Sequence, residues 1–132
     1  MNQQNLKGYA FMKRSDEERL KKIESYCKET FLFVSETDLR SFLKDLKTIR
    51  AVTMTLVQIG ELVYKLSDEI KNDHPDVPWR QIAGLRHRLV HDYDNTDYAA
   101  VWDIVQVNIP ELVANIKTIL ENSNKENHEN KT

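Results

Sequence analysis

The chain has 132 residues, 40% of them hydrophobic and 30% charged, the composition of a soluble globular protein with enough length for one core. Its 19 basic residues against 21 acidic ones exclude a whole-chain polycation, so any surface for an anionic polymer has to be local. Cys27 is alone, which excludes an intrachain disulfide and a cysteine-based metal site and fits a reducing, cytoplasmic setting.

With 3 glycines and 3 prolines there are few places to turn the chain, which favours long helices over many short strands. Residues 1–14 mix Asn, Gln, Lys and Arg with scattered apolar residues and read as an N-terminal extension without a signal peptide. Ser15-Asp16-Glu17-Glu18 has the form of a capping box. Leu20, Ile23, Cys27, Phe31 and Val34 follow at helical spacing, so a first helix is expected from about Asp16 to Val34. The longest aliphatic or aromatic run, Phe31-Leu32-Phe33-Val34, is too short to span a bilayer.

Thr37 or Ser41 is expected to start a short connecting segment through Leu43. From Ile49, the residues Val52, Leu56, Ile59, Val63, Leu66 and Ile70 continue a seam in steps of three and four, which predicts one unbroken helix. Gly60 within it weakens the helix and points to a neighbouring backbone that comes close. Asn72 to Pro78 reads as a turn. A helix then opens at Trp79, buries Ile82, Leu85 and Leu89, and frays between His91 and Asp94. Asn95-Thr96-Asp97 supplies a cap for a last helix through Tyr98, Val101, Val105, Ile109, Leu112, Ile116 and Ile119, kinked or broken by Pro110. Residues 121–132 are polar and low in complexity, the pattern of a disordered tail. The fold expected is all-α: a single-domain antiparallel bundle over residues 15–120, with four main helices and a short connecting helix.

Chemistry concentrates in Leu85-Arg86-His87-Arg88-Leu89-Val90-His91-Asp92-Tyr93. Arginine presents a permanent planar fork that suits phosphate oxygens, and histidine is the side chain best placed to move protons near neutral pH. A plainer reading treats Arg86 and Arg88 as a solvated helix face, with His91 favourably placed at the helix C-terminus. A metal reading takes His87 and His91 at i and i+4 with Asp94 as a further carboxylate. The sequence lacks the glutamate of a His-Glu-x-x-His pattern, so no metal and no cofactor is assigned. Trp79, Trp102, Tyr26, Tyr64 and Tyr98 read as core or interface aromatics. On an ideal helix His91 is rotated from Arg86 by roughly 140°, so one straight helix does not aim both at one point. Either the helix loosens near His91, or two copies of the segment meet across a symmetry axis.

Arg86-x-x-x-x-His91-x-Tyr93 resembles the signature of HepT-type toxins of the HEPN superfamily. The similarity continues in Ile59-Gly60-Glu61-Leu62, in Val77-Pro78-Trp79-Arg80-Gln81-Ile82-Ala83-Gly84-Leu85, in Val101-Trp102-Asp103-Ile104-Val105 and in Ile109-Pro110-Glu111-Leu112. It departs from the family at His87, where Asn or Asp is commoner, and in the N-terminal extension. The resemblance implies a HEPN-like helical bundle that forms a homodimer and cuts RNA, tRNA or mRNA, without a metal. It makes Arg86 and His91 catalytic, His87 the supporting polar neighbour, and Tyr93 the residue on which an MntA-like nucleotidyltransferase antitoxin places AMP. A toxin of a type VII-like toxin-antitoxin pair is the activity implied. The alternative is a non-catalytic helical nucleotide-binding or adaptor subunit for a nucleotidyltransferase.

Overall fold

The computed structural model describes residues 12–91 and 93–130, less the side chains of Tyr93 and of residues 125–130. The described residues form an all-α bundle with no strand. Helix α1 (Arg14–Val34) buries Leu20, Ile23 and Cys27 and ends where the apolar spacing stops. Its start differs from expectation. Lys13 is the N-cap and no side chain caps it, so the Ser15 box does not form. Asp16 turns inward instead, 1% exposed, and accepts the backbone N–H of Ser67 at 2.9 Å and its hydroxyl at 2.5 Å. A carboxylate that satisfies two donors at a remote helix start stabilises more than one left on a solvated first turn.

The connecting segment is helix α2 (Leu39–Lys44), capped by Asp38 rather than by Thr37 or Ser41. It sets Phe42 under Trp102, ring centroids 5.2 Å apart. Helix α3 (Leu46–Lys65) carries the seam Ile49, Val52, Leu56, Ile59 and Val63 and packs against α1 on one side and α5 on the other. The seam does not run unbroken to Ile70. Leu66 is extended, and Ser67 caps a separate short helix α4 (Asp68–Asp73), whose first turn carries Asp68 and Glu69. A serine cap followed by two carboxylates opposite the helix dipole makes a new start favourable here, and Asp16 fixes it from outside.

Helix α5 (Trp79–His91) begins after Pro78, buries Trp79, Ile82, Leu85 and Leu89, and is anchored by the Trp79 indole N–H donating to the His74 carbonyl at 2.9 Å. A 3-10 turn over Tyr93–Asn95 follows. Asp97 caps helix α6 (Tyr98–Asp103), as expected from the sequence, by accepting from Ala99 and Ala100. Ahead of Pro110 the chain widens into a π-helical turn (Ile104–Asn108), closed by Ile109 N–H donating to the Ile104 carbonyl. The wider turn is how the helix accommodates a residue without an N–H. Helix α7 (Ile109–Asn130) then buries Ile109, Leu112, Ile116 and Ile119. It is helical to Asn130, since no glycine or proline after Pro110 interrupts it, and residues 131–132 of the expected tail lie outside the described residues.

Candidate nuclease site

The motif lies along the exposed side of α5, and its placement is set by the α3 and α5 crossing. Gly60 is the contact point: a Cβ there would lie 2.9 Å from the Arg86 nitrogen and 3.1 Å from the Ile82 carbonyl oxygen. Only hydrogen fits, so the close approach expected at Gly60 is present, and it falls at the motif arginine. Gly84 differs, with nothing within 4 Å of its would-be Cβ.

Arg86 leans toward α3, where its Nε donates to Glu61 Oε2. Glu61 Oε1 lies 3.5 Å from Lys65 Nζ one turn further along. The Arg86 side chain stays half exposed, and the contact with Glu61 is made by Nε, leaving the terminal nitrogens out of that contact. His87 and His91 sit one turn apart on a different face, their rings tilted by 41° with centroids 4.4 Å apart, both exposed. The structure therefore brings the two candidate imidazoles together and leaves the guanidinium on the flank toward α3. Helix α5 stays helical through His91, so no loosening within it turns His91 toward Arg86. Tyr93 follows in the 3-10 turn, and its side chain lies outside the described residues.

On the opposite flank of α5 a groove of about 490 Å³ runs between this helix and the π-helical turn. Ile82, Leu85 and Ile104 form its apolar floor, while Gln81, Arg88 and Asn108 give it a polar lip and His87 reaches its edge. For the metal reading, His87 and His91 find no third partner: no group of three His, Cys, Asp or Glu residues is placed to hold an ion among the described residues, Asp94 included. No described helix is long and apolar enough to cross a membrane. The residue that sequence reasoning did not single out for a role is Glu61. Its signal was the neighbouring Gly60, which marks where another backbone comes close.

The family model described as "Ribonuclease HepT-like" matches residues 17–119. This chain belongs to the HepT-like ribonuclease family. Among similar HepT-like or RNase-named chains, "Putative RNase MJ0127" of Methanocaldococcus jannaschii is 37% identical over 71% of this chain and 78% of its own length. "Putative RNase TTE0752" of Caldanaerobacter subterraneus subsp. tengcongensis is 35% identical over 77% of this chain and 91% of its own. "Probable ribonuclease HepT" of Thermococcus cleftensis is 36% identical over 76% and 92%. No solved structure matches. The all-α bundle is the HEPN-like architecture expected from the motif.

Proposed function

We propose that this chain is a metal-independent endoribonuclease toxin of the cytoplasm whose site is completed by a second copy of itself. The observation that carries the reading is one exposed helix bearing a held guanidinium on one face and two adjoining imidazoles on another, in a chain of the HepT-like ribonuclease family. His91 takes the proton of an RNA 2′-hydroxyl as its oxygen bonds to the adjacent phosphorus. The phosphorus–O5′ bond breaks, the departing O5′ takes a proton from solvent water, and a 2′,3′-cyclic phosphate remains. Arg86 stabilises the negative charge that builds on the phosphoryl oxygens during that step. His87 supports the site as the polar neighbour of Arg86.

Five residues along one α-helix separate Arg86 and His91 by roughly 140° and about 7.5 Å of rise. A two-fold arrangement of α5 with its copy supplies the convergence that one helix lacks, so the homodimer belongs to the mechanism. The silencing partner in this reading is an MntA-like nucleotidyltransferase antitoxin. AMP on Tyr93, two residues beyond His91, adds bulk and negative charge where an RNA phosphate has to dock.

Wild-type protein is expected to cut RNA in excess chelator, and Arg86→Ala and His91→Ala to spare it; equal cleavage by all three sinks the assignment. Mixing the two inactive variants should restore about a quarter of wild-type activity if each site takes one group from each subunit. Tyr93→Phe is expected to stop AMP incorporation by the nucleotidyltransferase, and unchanged incorporation excludes Tyr93 as acceptor. A second reading, a nucleotide-binding adaptor without nuclease activity, is favoured by the groove beside His87 and Arg88, whose about 490 Å³ suits a small ligand. Expression of the chain alone separates the two: a toxin arrests growth and an adaptor does not.

A further inference from the structure

Arg86 has five N–H donors in a rigid fork, and which edge faces substrate depends on which edge the protein already holds. Here the inner edge is taken, since Nε donates to Glu61. Glu61 sits next to Gly60, the residue that lets the backbone of α5 approach α3 at Arg86, so the carboxylate is delivered at the tightest described contact of a glycine in this chain. Its other oxygen is shared with Lys65. A half-exposed ion pair of this kind contributes little to stability. Its geometric effect is larger: it holds a long, flexible side chain in one direction.

We propose that Glu61 is the positioning residue for Arg86, gripping the guanidinium by Nε so that the two terminal nitrogens are turned together toward an RNA phosphate. Lys65, drawn to the same carboxylate, keeps the local balance at two cations for one anion and leaves the surface attractive to RNA. The inference rests on the ribonuclease reading above and adds to it a residue outside the Arg-His motif.

The two possible roles of Glu61 have opposite signs. As a bystander acid beside an RNA site, its replacement by neutral glutamine makes the surface more positive and leaves turnover equal or higher. As a positioning residue, the same replacement leaves binding intact or tighter and lowers turnover, because a misaligned Arg86 no longer stabilises the reacting phosphoryl group in the transition state. The test is steady-state cleavage of a fluorophore-quencher RNA by the full-length chain, with kcat and KM resolved separately. For Glu61→Gln, kcat is expected to fall about 10- to 100-fold with KM at or below the wild-type value. Glu61→Asp, which keeps the charge at shorter reach, should lie between the two, and the shape of the pH profile should be unchanged because Glu61 passes no proton.

A Glu61→Gln kcat within about twofold of wild type overturns the proposal, as does a raised KM with kcat untouched. Thermal melts run alongside; if Glu61→Gln is unfolded at the assay temperature, Glu61→Asp decides by the same split. A wild-type chain that cuts no RNA overturns the ribonuclease reading itself. Wild-type cleavage matched by Glu61→Gln overturns the positioning role alone.

Discussion

Replacing Gly60 with alanine tests the contact on which the site is built. The new methyl would sit 2.9 Å from the Arg86 nitrogen, 3.1 Å from the Ile82 carbonyl oxygen and 3.3 Å from the Ala83 carbonyl oxygen. All three neighbours are backbone atoms of α5, so no side chain can swing away and the two helices have to separate by a few tenths of an ångström. Overpacking of this kind costs about 1 to 3 kcal/mol. Alanine also returns about 1 kcal/mol of helix propensity, for a net loss near 1 kcal/mol. Gly84→Ala is the internal reference, because it gains the same propensity and meets nothing within 4 Å. Propensity cancels between the two variants, which leaves a gap of about 1 to 3 kcal/mol in favour of Gly84→Ala. In urea unfolding at matched chain concentration that gap is about 0.5 to 1.5 M in midpoint, for a slope near 2 kcal/mol/M. Equal midpoints would refute the close approach and, with it, the account of how Arg86 is delivered to Glu61.

Asp16→Ala should destabilise the fold by about 2 to 3 kcal/mol in denaturant unfolding, since it strands the Ser67 N–H and hydroxyl; a loss under about 0.5 kcal/mol would show that the link does not hold α4. Thr53 Oγ1 is buried without a hydrogen-bond partner among the described residues, so Thr53→Val should leave stability unchanged or raise it by about 1 kcal/mol, and a clear loss would reveal a partner for the hydroxyl. Burial, reinforced by the nearby Glu24 carboxylate, pushes the Cys27 thiol up to about 12. Disulfide-exchange reagents at pH 8 should therefore label Cys27 only at the rate of structural opening, and labelling within seconds under native conditions would contradict its burial. Asp38 is held below the usual carboxylate range, first by the Ser41 backbone N–H and then by the Ser41 side chain. Asp45 is lowered first by the Thr48 hydroxyl and then by the Thr48 backbone N–H. Groups lowered on folding add stability that is complete above the unfolded value near 4 and is lost as pH falls through the lower folded values. Asp38→Asn with Asp45→Asn should accordingly flatten the acid limb of helix loss followed by circular dichroism, and superimposable limbs would exclude these caps as contributors.

What the sequence made readable, and what it hid, divides by how far apart the interacting residues are. The apolar periodicity of Leu20, Ile23 and Cys27 or of Val52, Leu56 and Ile59 is a local property of a helix that buries one face, and the main helices follow from it. Asp97 as a cap, and Pro110 as a disturbance, are also local. Ser15 and Asp16 are different. Local chemistry favours a capping box, and the actual role of Asp16 depends on Ser67, 51 residues away, whose own cap ends the seam expected to reach Ile70. The same division runs through the site. That Arg86 and His91 face different ways follows from helix geometry alone, and that the His87 and His91 rings meet follows from their spacing of one turn. The pairing of Arg86 with Glu61 crosses between helices and could be read only as a hint, since Gly60 announces a close backbone without saying whose. Once α5 is known to be that neighbour, the glycine, the glutamate and the motif arginine become one device. Gly60 admits the helix, Glu61 takes hold of Nε, and in the proposed nuclease the other edge of the guanidinium is left for an RNA phosphate. A motif defined by Arg86 and His91 alone omits the α3 residues that set the direction in which its arginine points.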